Sequence, residues 1–292
     1  MDSRPVIVIT GATNGLGKLV ALDLAERGIR LGVVARSQDK VDELRAEIGR
    51  LAPAASVDAF LADLSSLAEV RRAAAEIDAH YERIDVLINN AGLHAFSQRV
   101  TVDGFSEMVA VNYLAPWVLT NALREKLIAS APARVVTVAS EAARQAGDIV
   151  PARDLVSTED YTRRESSKLY GRTKLMDIMF SQELGRQLAA TGVTANCCDP
   201  GFNTSGLGRE LPGSGVLEKI LKTLRIGDPR RGAAIISRLA ADPAFATTTA
   251  GYFSVKNAAL LECPLPGRPE RIQQDLWTTT TKLVETRVPP SS

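Results

Sequence analysis

A doubly wound α/β domain with a mostly parallel sheet is the architecture this sequence predicts, and three features carry that reading. Short apolar runs recur along the chain, longer helical patterns separate them, and a glycine-rich turn joins the first run to the first helical pattern. Several runs are apolar throughout, which suits strands buried on both faces of a parallel sheet. The expected strands are 6–10, 30–35, 57–61, 85–89, 135–139, 193–197 and 251–255. Helices are expected over 17–27, 40–51, 67–81, 104–128, 167–190 and 231–240. This is a βαβ series. No internal repeat or linker interrupts it, so residues 1–292 read as one domain of about seven strands with helices on both faces.

Composition excludes several function classes. The chain has 35 basic and 34 acidic residues with neither sign gathered into a run, which argues against nucleic acid as a partner. Cys197, Cys198 and Cys263 have neither zinc-ligand spacing nor a disulfide pattern, so a reducing cytoplasm is the expected location. Only five residues precede the first apolar run, too few for a secretion signal, and no apolar stretch reaches membrane-spanning length. Two stretches break the rhythm, 141–166 and 203–227, and the tail at 288–292 is expected to fray.

The first turn reads TGATNGLG, residues 10–17. Gly11, Gly15 and Gly17 would let a pyrophosphate approach the backbone around Thr13, Asn14 and Leu16 and reach the helix N-terminus, where free N–H groups favour anions. Its GxxxGxG spacing differs from the usual dinucleotide fingerprint, and a plain tight turn is the competing reading. Placement between the first strand and the first helix favours a nucleotide. At the end of the second strand, an NAD site would want a carboxylate for the ribose hydroxyl. This chain has Ala35 and Arg36 there. A guanidinium fits a 2′-phosphate, so NADP(H) is the expected cofactor, with a solvated surface arginine as the bland alternative. In YGRTK, Tyr170 and Lys174 share one helix face at i and i+4, and a cation beside a phenol favours the phenolate. Such a pair would make a proton donor and acceptor, although taken alone it is also an ordinary helix surface.

The set TGATNGLG, Asp63–Leu64, NNAG (89–92), Asn112, Ser140, YGRTK and Pro200–Gly201 resembles the short-chain dehydrogenase/reductase family, in order and over roughly the first 205 residues. The resemblance implies a Rossmann-type fold and a role at each matching position. Asp63 and Leu64 would contact adenine, and Asn90, Ala91 and Gly92 would line the adenosine ribose and steady the sheet. Asn112 would bend its helix and hold a water in a proton relay. Ser140 would orient the substrate oxygen, and Tyr170 would exchange the proton. Lys174 would hold the nicotinamide ribose and depress the tyrosine pKa; Thr204 would touch the carboxamide. Each residue has a local alternative: Asn112 bonding within its helix, Ser140 capping a strand end, Asp63 capping the following helix.

The resemblance implies interconversion of a ketone or aldehyde with an alcohol. The rival readings are a nucleotide-binding scaffold without turnover, and an epimerase or dehydratase on the same fold. The family's subunits often pair through the two long helices flanking the active site, so a homo-oligomer is an expectation. The long gap between Ser140 and Tyr170, with FSQELGRQL, GYFSV and DLWTTT, is similar to the branch of retinol dehydrogenases and WW-domain oxidoreductases. Ala139 and Asp199 depart from the family pattern. His94, after NNAG, is read as a loop residue near the substrate mouth, with contact to substrate as the sharper alternative. Residues 216–225 are amphipathic, with Leu217 and Leu221 on the apolar face. Core helix, membrane-surface helix and substrate lid compete there. The lid over 203–227 is the reading adopted, and it implies an apolar substrate.

Overall fold

VIVIT, five buried residues in succession, forms β1 (Val6–Thr10) in the middle of the sheet. The computed structural model describes residues 4–201 and 228–287. The expected lid, with Thr204, and the expected frayed tail lie outside the described residues. Around β1 lie β2 (Arg30–Ala35), β3 (Val57–Leu61), β4 (Val86–Asn89), β5 (Ala133–Val138), β6 (Val193–Asp199), β7 (Tyr252–Ser254) and β8 (Leu260–Leu261). Their order is β3-β2-β1-β4-β5-β6-β7-β8, and only the β7–β8 pairing is antiparallel. Strand order therefore reverses between β1 and β4, which opens a crevice at the strands' carboxyl ends. The sheet has eight strands rather than about seven. The extra one is a two-residue edge after a turn in which Asn257 and Ala258 have positive φ, too short to leave a periodic signal.

Helices cover both faces of the sheet. On one side α1 (Gly15–Glu26) and α2 (Gln38–Leu51) bury Leu24 and Leu44 over β1 and β2, and α9 (Pro229–Ala241) buries Ile236 over β5 and β6. On the other, α3 (Leu67–His80) and α8 (Arg163–Gln187), the latter preceded by the short α7 (Pro151–Asp154), pack with the segment between β4 and β5. The 25-residue α8 begins four residues earlier than expected, because Thr162 and Glu165 form a reciprocal capping box.

The continuous helix expected over 104–128 is interrupted. It resolves into α4 (Glu107–Val109), a π-helical turn (Ala110–Leu114), α5 (Ala115–Ala122) and α6 (Arg124–Ala129). Pro116 has no N–H for the carbonyl of Asn112 and its ring crowds that carbonyl, so a widened turn just upstream relieves the conflict. A further helix, α10 (Glu270–Arg287), went unread because four successive threonines are poor helix formers. Docking overrides propensity there. Trp277 stacks on Phe180 of α8 at 5.8 Å and lies 5.7 Å from Trp117 of α5. Thr280 hydrogen-bonds the Tyr113 hydroxyl at 2.8 Å and donates back to the Leu276 carbonyl. No helix among the described residues is long and apolar enough to cross a membrane.

Because Leu276 is 1% exposed in this seam, Leu276→Ala should lower unfolding free energy by about 2–5 kcal/mol. Chemical denaturation would measure it, and an unchanged midpoint would show that α10 is not docked as described.

Candidate active site

The chain leaves β1 through Gly11 and Gly15, with φ of +69° and +55°, a region that side chains disfavour. A Cβ on Gly17 would lie 2.4 Å from the Gly11 carbonyl oxygen and from Asn90 Nδ2, so only glycine lets α1 come this close. Asn90 braces the turn by donating from Nδ2 to the Thr10 carbonyl at 2.9 Å and the Gly11 carbonyl at 3.3 Å. Thr10 Oγ1 accepts the backbone N–H groups of Asn90 and Ala91, each at 3.0 Å. Unlike α2, α3 and α8, which Ser37, Ser66 and Thr162 cap, α1 has no side-chain cap and no acid in its first turn. Its amides and dipole are available to an anion.

A cleft of about 1330 Å³ lies over the strands' carboxyl ends. It collects Gly11, Thr13, Asn14, Gly15, Leu16 and Gly17 from the first turn, and Arg36 from the end of β2. Arg36 makes no ion pair among the described residues, and Ser37 beside it caps α2. Asp63 and Leu64 follow β3 into the same cleft. Asp63 accepts the Ser65 N–H at 2.9 Å in a local turn, while Ser66 caps α3, so the helix-capping alternative for Asp63 is filled by another residue. Ala91 and Gly92 follow β4, and Pro200 and Gly201 follow β6, completing the wall.

At the other end of the cleft stand Ser140, Tyr170 and Lys174. Ser140 is extended just after β5, accepts the Ala142 N–H at 3.2 Å, and lies beside the Tyr170 phenol, where its hydroxyl favours the phenolate. It is both a cap and a partner of the phenol. Lys174 is buried; its Nζ donates to the Val138 carbonyl and to Asp177 Oδ2, both at 2.9 Å, and lies 6.0 Å from the Tyr170 ring centroid. Asn112, inside the π turn, stays behind the cleft wall. It accepts the Leu93 N–H at 2.8 Å and donates to the Leu93 carbonyl at 2.9 Å and Thr173 Oγ1 at 3.0 Å. Both amide hydrogens are thus engaged by protein, and the residue clasps the NNAG loop to α8.

Burial opposes charge on Lys174, yet Asp177 and Tyr170 hold its pKa above the usual lysine value. For Tyr170, burial pushes the phenol up, Lys174 pulls it down and Asp177 pushes it up again, and the net direction is upward. The lysine acts in the expected sense but does not win in the protein alone. Sequence reasoning passed over Asp177, an acid three residues after a lysine, which usually signals a surface pair.

Three further residues shape this end. Asp199 Oδ1 accepts the N–H groups of Glu141 and Gly201, each at 3.0 Å, tying the end of β6 to the turn that follows Ser140. His94 stacks on the Tyr170 ring at 4.8 Å and 11°. Ser166 donates its one proton to the Arg163 carbonyl at 2.7 Å, so at 3.0 Å it accepts from His94 Nε2–H. Gly171 lets the 3₁₀ turn Glu141–Gln145 lie against α8, since a Cβ there would sit 2.5 Å from the Ala142 carbonyl oxygen. Gly171→Ala should therefore push Ser140 away from Tyr170 and lower kcat by about 10–100-fold, the cost of a misplacement of roughly an ångström. Cofactor affinity should hold; steady-state kinetics with parallel cofactor titration would check both.

The model of the short chain dehydrogenase family matches residues 5–153. Human retinol dehydrogenase 13 is 33% identical over 290 residues, spanning 97% of this chain and 85% of that protein. Human dehydrogenase/reductase SDR family member 13 is 34% identical over 280 residues, spanning 94% and 72%. Among solved structures, an uncharacterised protein from Mycobacterium paratuberculosis aligns with a TM-score of 0.74 at 26% identity, covering 96% of this chain and 93% of that one. A protein from Beutenbergia cavernae, described as an NAD(P)-dependent gluconate 5-dehydrogenase with bound NADP at low occupancy, aligns at 0.67 and 26% identity over 86% and 94%. With the glycine turn, the cleft and the tyrosine–lysine helix in one sheet, these likenesses converge: the chain belongs to the short-chain dehydrogenase/reductase family, in its retinol dehydrogenase-like branch, and is an oxidoreductase acting on CH–OH and C=O groups with NAD(P).

Proposed function

We propose that the protein interconverts an apolar ketone or aldehyde with its alcohol using NADP(H), with Tyr170 as general acid/base. The observation that carries this is one cleft joining the Arg36 guanidinium at one end to Ser140, Tyr170 and Lys174 at the other. The uncapped α1 N-terminus and the glycine turn fit a pyrophosphate, and Arg36, where an NAD site would have an acid, fits a 2′-phosphate. The bound nicotinamide supplies or accepts the hydride. Ser140 orients the substrate oxygen, and Tyr170 gives it a proton in reduction or takes one in oxidation. Lys174 keeps one donor beyond those given to Val138 and Asp177, and that donor suits a ribose hydroxyl. Ion pairs at the substrate end, Arg99 with Glu107 and Arg144 with Glu141, offset each other's charge, and relatives named retinol dehydrogenases support an apolar substrate.

A panel of carbonyls and alcohols followed by nicotinamide absorbance tests the reading, since net cofactor turnover separates it from a scaffold and from an epimerase. Tyr170→Phe should abolish turnover and leave NADPH affinity nearly unchanged, because the ring still packs but the proton is gone. Lys174→Ala should impair both. Retention of most activity by Tyr170→Phe would refute the mechanism.

NADPH should bind at least about tenfold more tightly than NADH, as one charge-assisted phosphate contact contributes roughly 1.5–3 kcal/mol. Arg36→Ala should erase most of that preference and spare NADH. Equal affinities in the unaltered protein would sink the assignment.

A further inference from the structure

Tyr170, Lys174 and Asp177 lie at i, i+4 and i+7 of α8, one stripe carrying a phenol, an ammonium and a carboxylate in that order. Asp177 is 1% exposed. Its Oδ2 accepts from Lys174 Nζ at 2.9 Å, while Oδ1 is buried and meets no hydrogen-bond partner among the described residues. Burying a carboxylate with one oxygen unsatisfied is costly, and an amide of the same shape would still accept the lysine proton. Hydrogen bonding therefore calls for a single acceptor at this position, which an amide would supply, and the negative charge serves as counter-charge to the buried ammonium. That charge has a further electrostatic consequence. A lone ammonium beside a phenol lowers its pKa, whereas an ammonium paired with a carboxylate acts as a dipole whose field at the phenol is much weaker.

We propose that Asp177 is a positioning residue that acts through Lys174 to keep Tyr170 protonated at neutral pH, and so biases the site toward carbonyl reduction. This rests on the reading of Tyr170 as the acid/base. In reduction the carbonyl carbon takes a hydride from the reduced nicotinamide, which becomes the oxidised form. The carbonyl oxygen takes the Tyr170 proton, and the phenolate regains a proton from water. That direction needs the phenol protonated at the outset; oxidation of an alcohol needs it ionised.

The other groups around the stripe do not reverse the effect. From β6 come Cys197 and Cys198, whose thiols burial keeps neutral, and Asp199, which adds to the upward push on Tyr170. The π turn contributes Tyr113, a phenol that burial also keeps neutral. The loop after β4 contributes His94, stacked on the Tyr170 ring, and β5 contributes the Ser140 hydroxyl, which favours the phenolate. Burial pushes the Asp177 carboxyl up to about 6 against the pull of Lys174, so its charge is present at neutral pH and fades in acid.

The test is the pH dependence of kcat/KM in both directions for the holoenzyme and for Asp177→Asn. In the variant, the falling limb for reduction and the rising limb for oxidation should both move at least about one unit toward acid. Each unit is about a tenfold change in the protonated-to-ionised ratio of Tyr170 at a fixed pH. The two proteins' profiles should converge below about pH 6, where Asp177 is itself protonated. NADPH affinity should change little, and the thermal midpoint should fall because the buried Lys174 ammonium loses its counter-charge. Limbs that stay in place, or that move toward alkali, would overturn the role of Asp177. Should the variant not fold, tyrosinate absorbance in the unaltered holoenzyme, taken as the difference from Tyr170→Phe, decides: ionisation of Tyr170 complete by neutral pH would also overturn it. A Tyr170→Phe protein that still turned over would defeat the mechanism itself, a failure distinct from that of Asp177.

Discussion

A lysine ammonium held at 3% exposure is the constraint around which this site is arranged. A charge so placed is tolerated only when its protons and its field are answered by protein groups. Lys174 meets that demand with a strand carbonyl, Val138, and a helix carboxylate, Asp177. Val138 is the last residue of β5, two before Ser140, so the same bond that satisfies the ammonium fixes where the strand ends against α8. Ser140 and Tyr170 are brought together by that registration. The Asn112 clasp on Leu93 and Thr173 does the same for the loop after β4. The geometry of the proposed catalytic groups is a by-product of satisfying buried polar groups.

The sequence made the sheet legible because β1, β2 and β6 are buried along nearly their whole length, and short, largely apolar runs between helical patterns fit strands covered on both faces. The cofactor end was legible for a similar reason. Glycines at 11, 15 and 17 have no cheap substitute where φ is positive or a backbone passes within contact distance. What stayed hidden depends on partners distant in sequence. The threonine run of α10 looks like a poor helix until Tyr113, 167 residues away, supplies a hydrogen bond to Thr280. The π turn required reading Pro116 as a conflict with the carbonyl of Asn112 rather than as a helix start. Asp177 looked like one half of a surface pair, because i and i+3 spacing carries no information about burial. The capping box at Thr162 and Glu165 could have been read, and it alone would have set the start of α8.

The π turn also links two parts of the molecule that periodicity treats separately. Widening the helix by one residue lets Asn112 face α8 and the loop after β4, while its neighbour Tyr113 turns to Thr280 of α10. Docking of α10 therefore supports the segment that carries the clasp. It also covers the aromatic seam formed by Trp117 of α5 and Phe180 of α8.

Division of labour along the cleft explains where this chain is free to differ from its relatives. The glycine turn at the proposed cofactor end relies on absent side chains, and substitution of Gly11, Gly15 or Gly17 would fill space or strain the turn. The proposed catalytic end would work through a phenol whose reactivity depends on the summed field of its neighbours. There a residue can change without altering which atoms react. Asp199, where the family more often has Asn or His, keeps a structural acceptor for Glu141 and Gly201 while adding charge near the phenol. Asp177 and His94 likewise surround Tyr170 without replacing it. On the proposed mechanism, variation of this kind would leave the reaction class intact and adjust the pH range in which the tyrosine–lysine pair works.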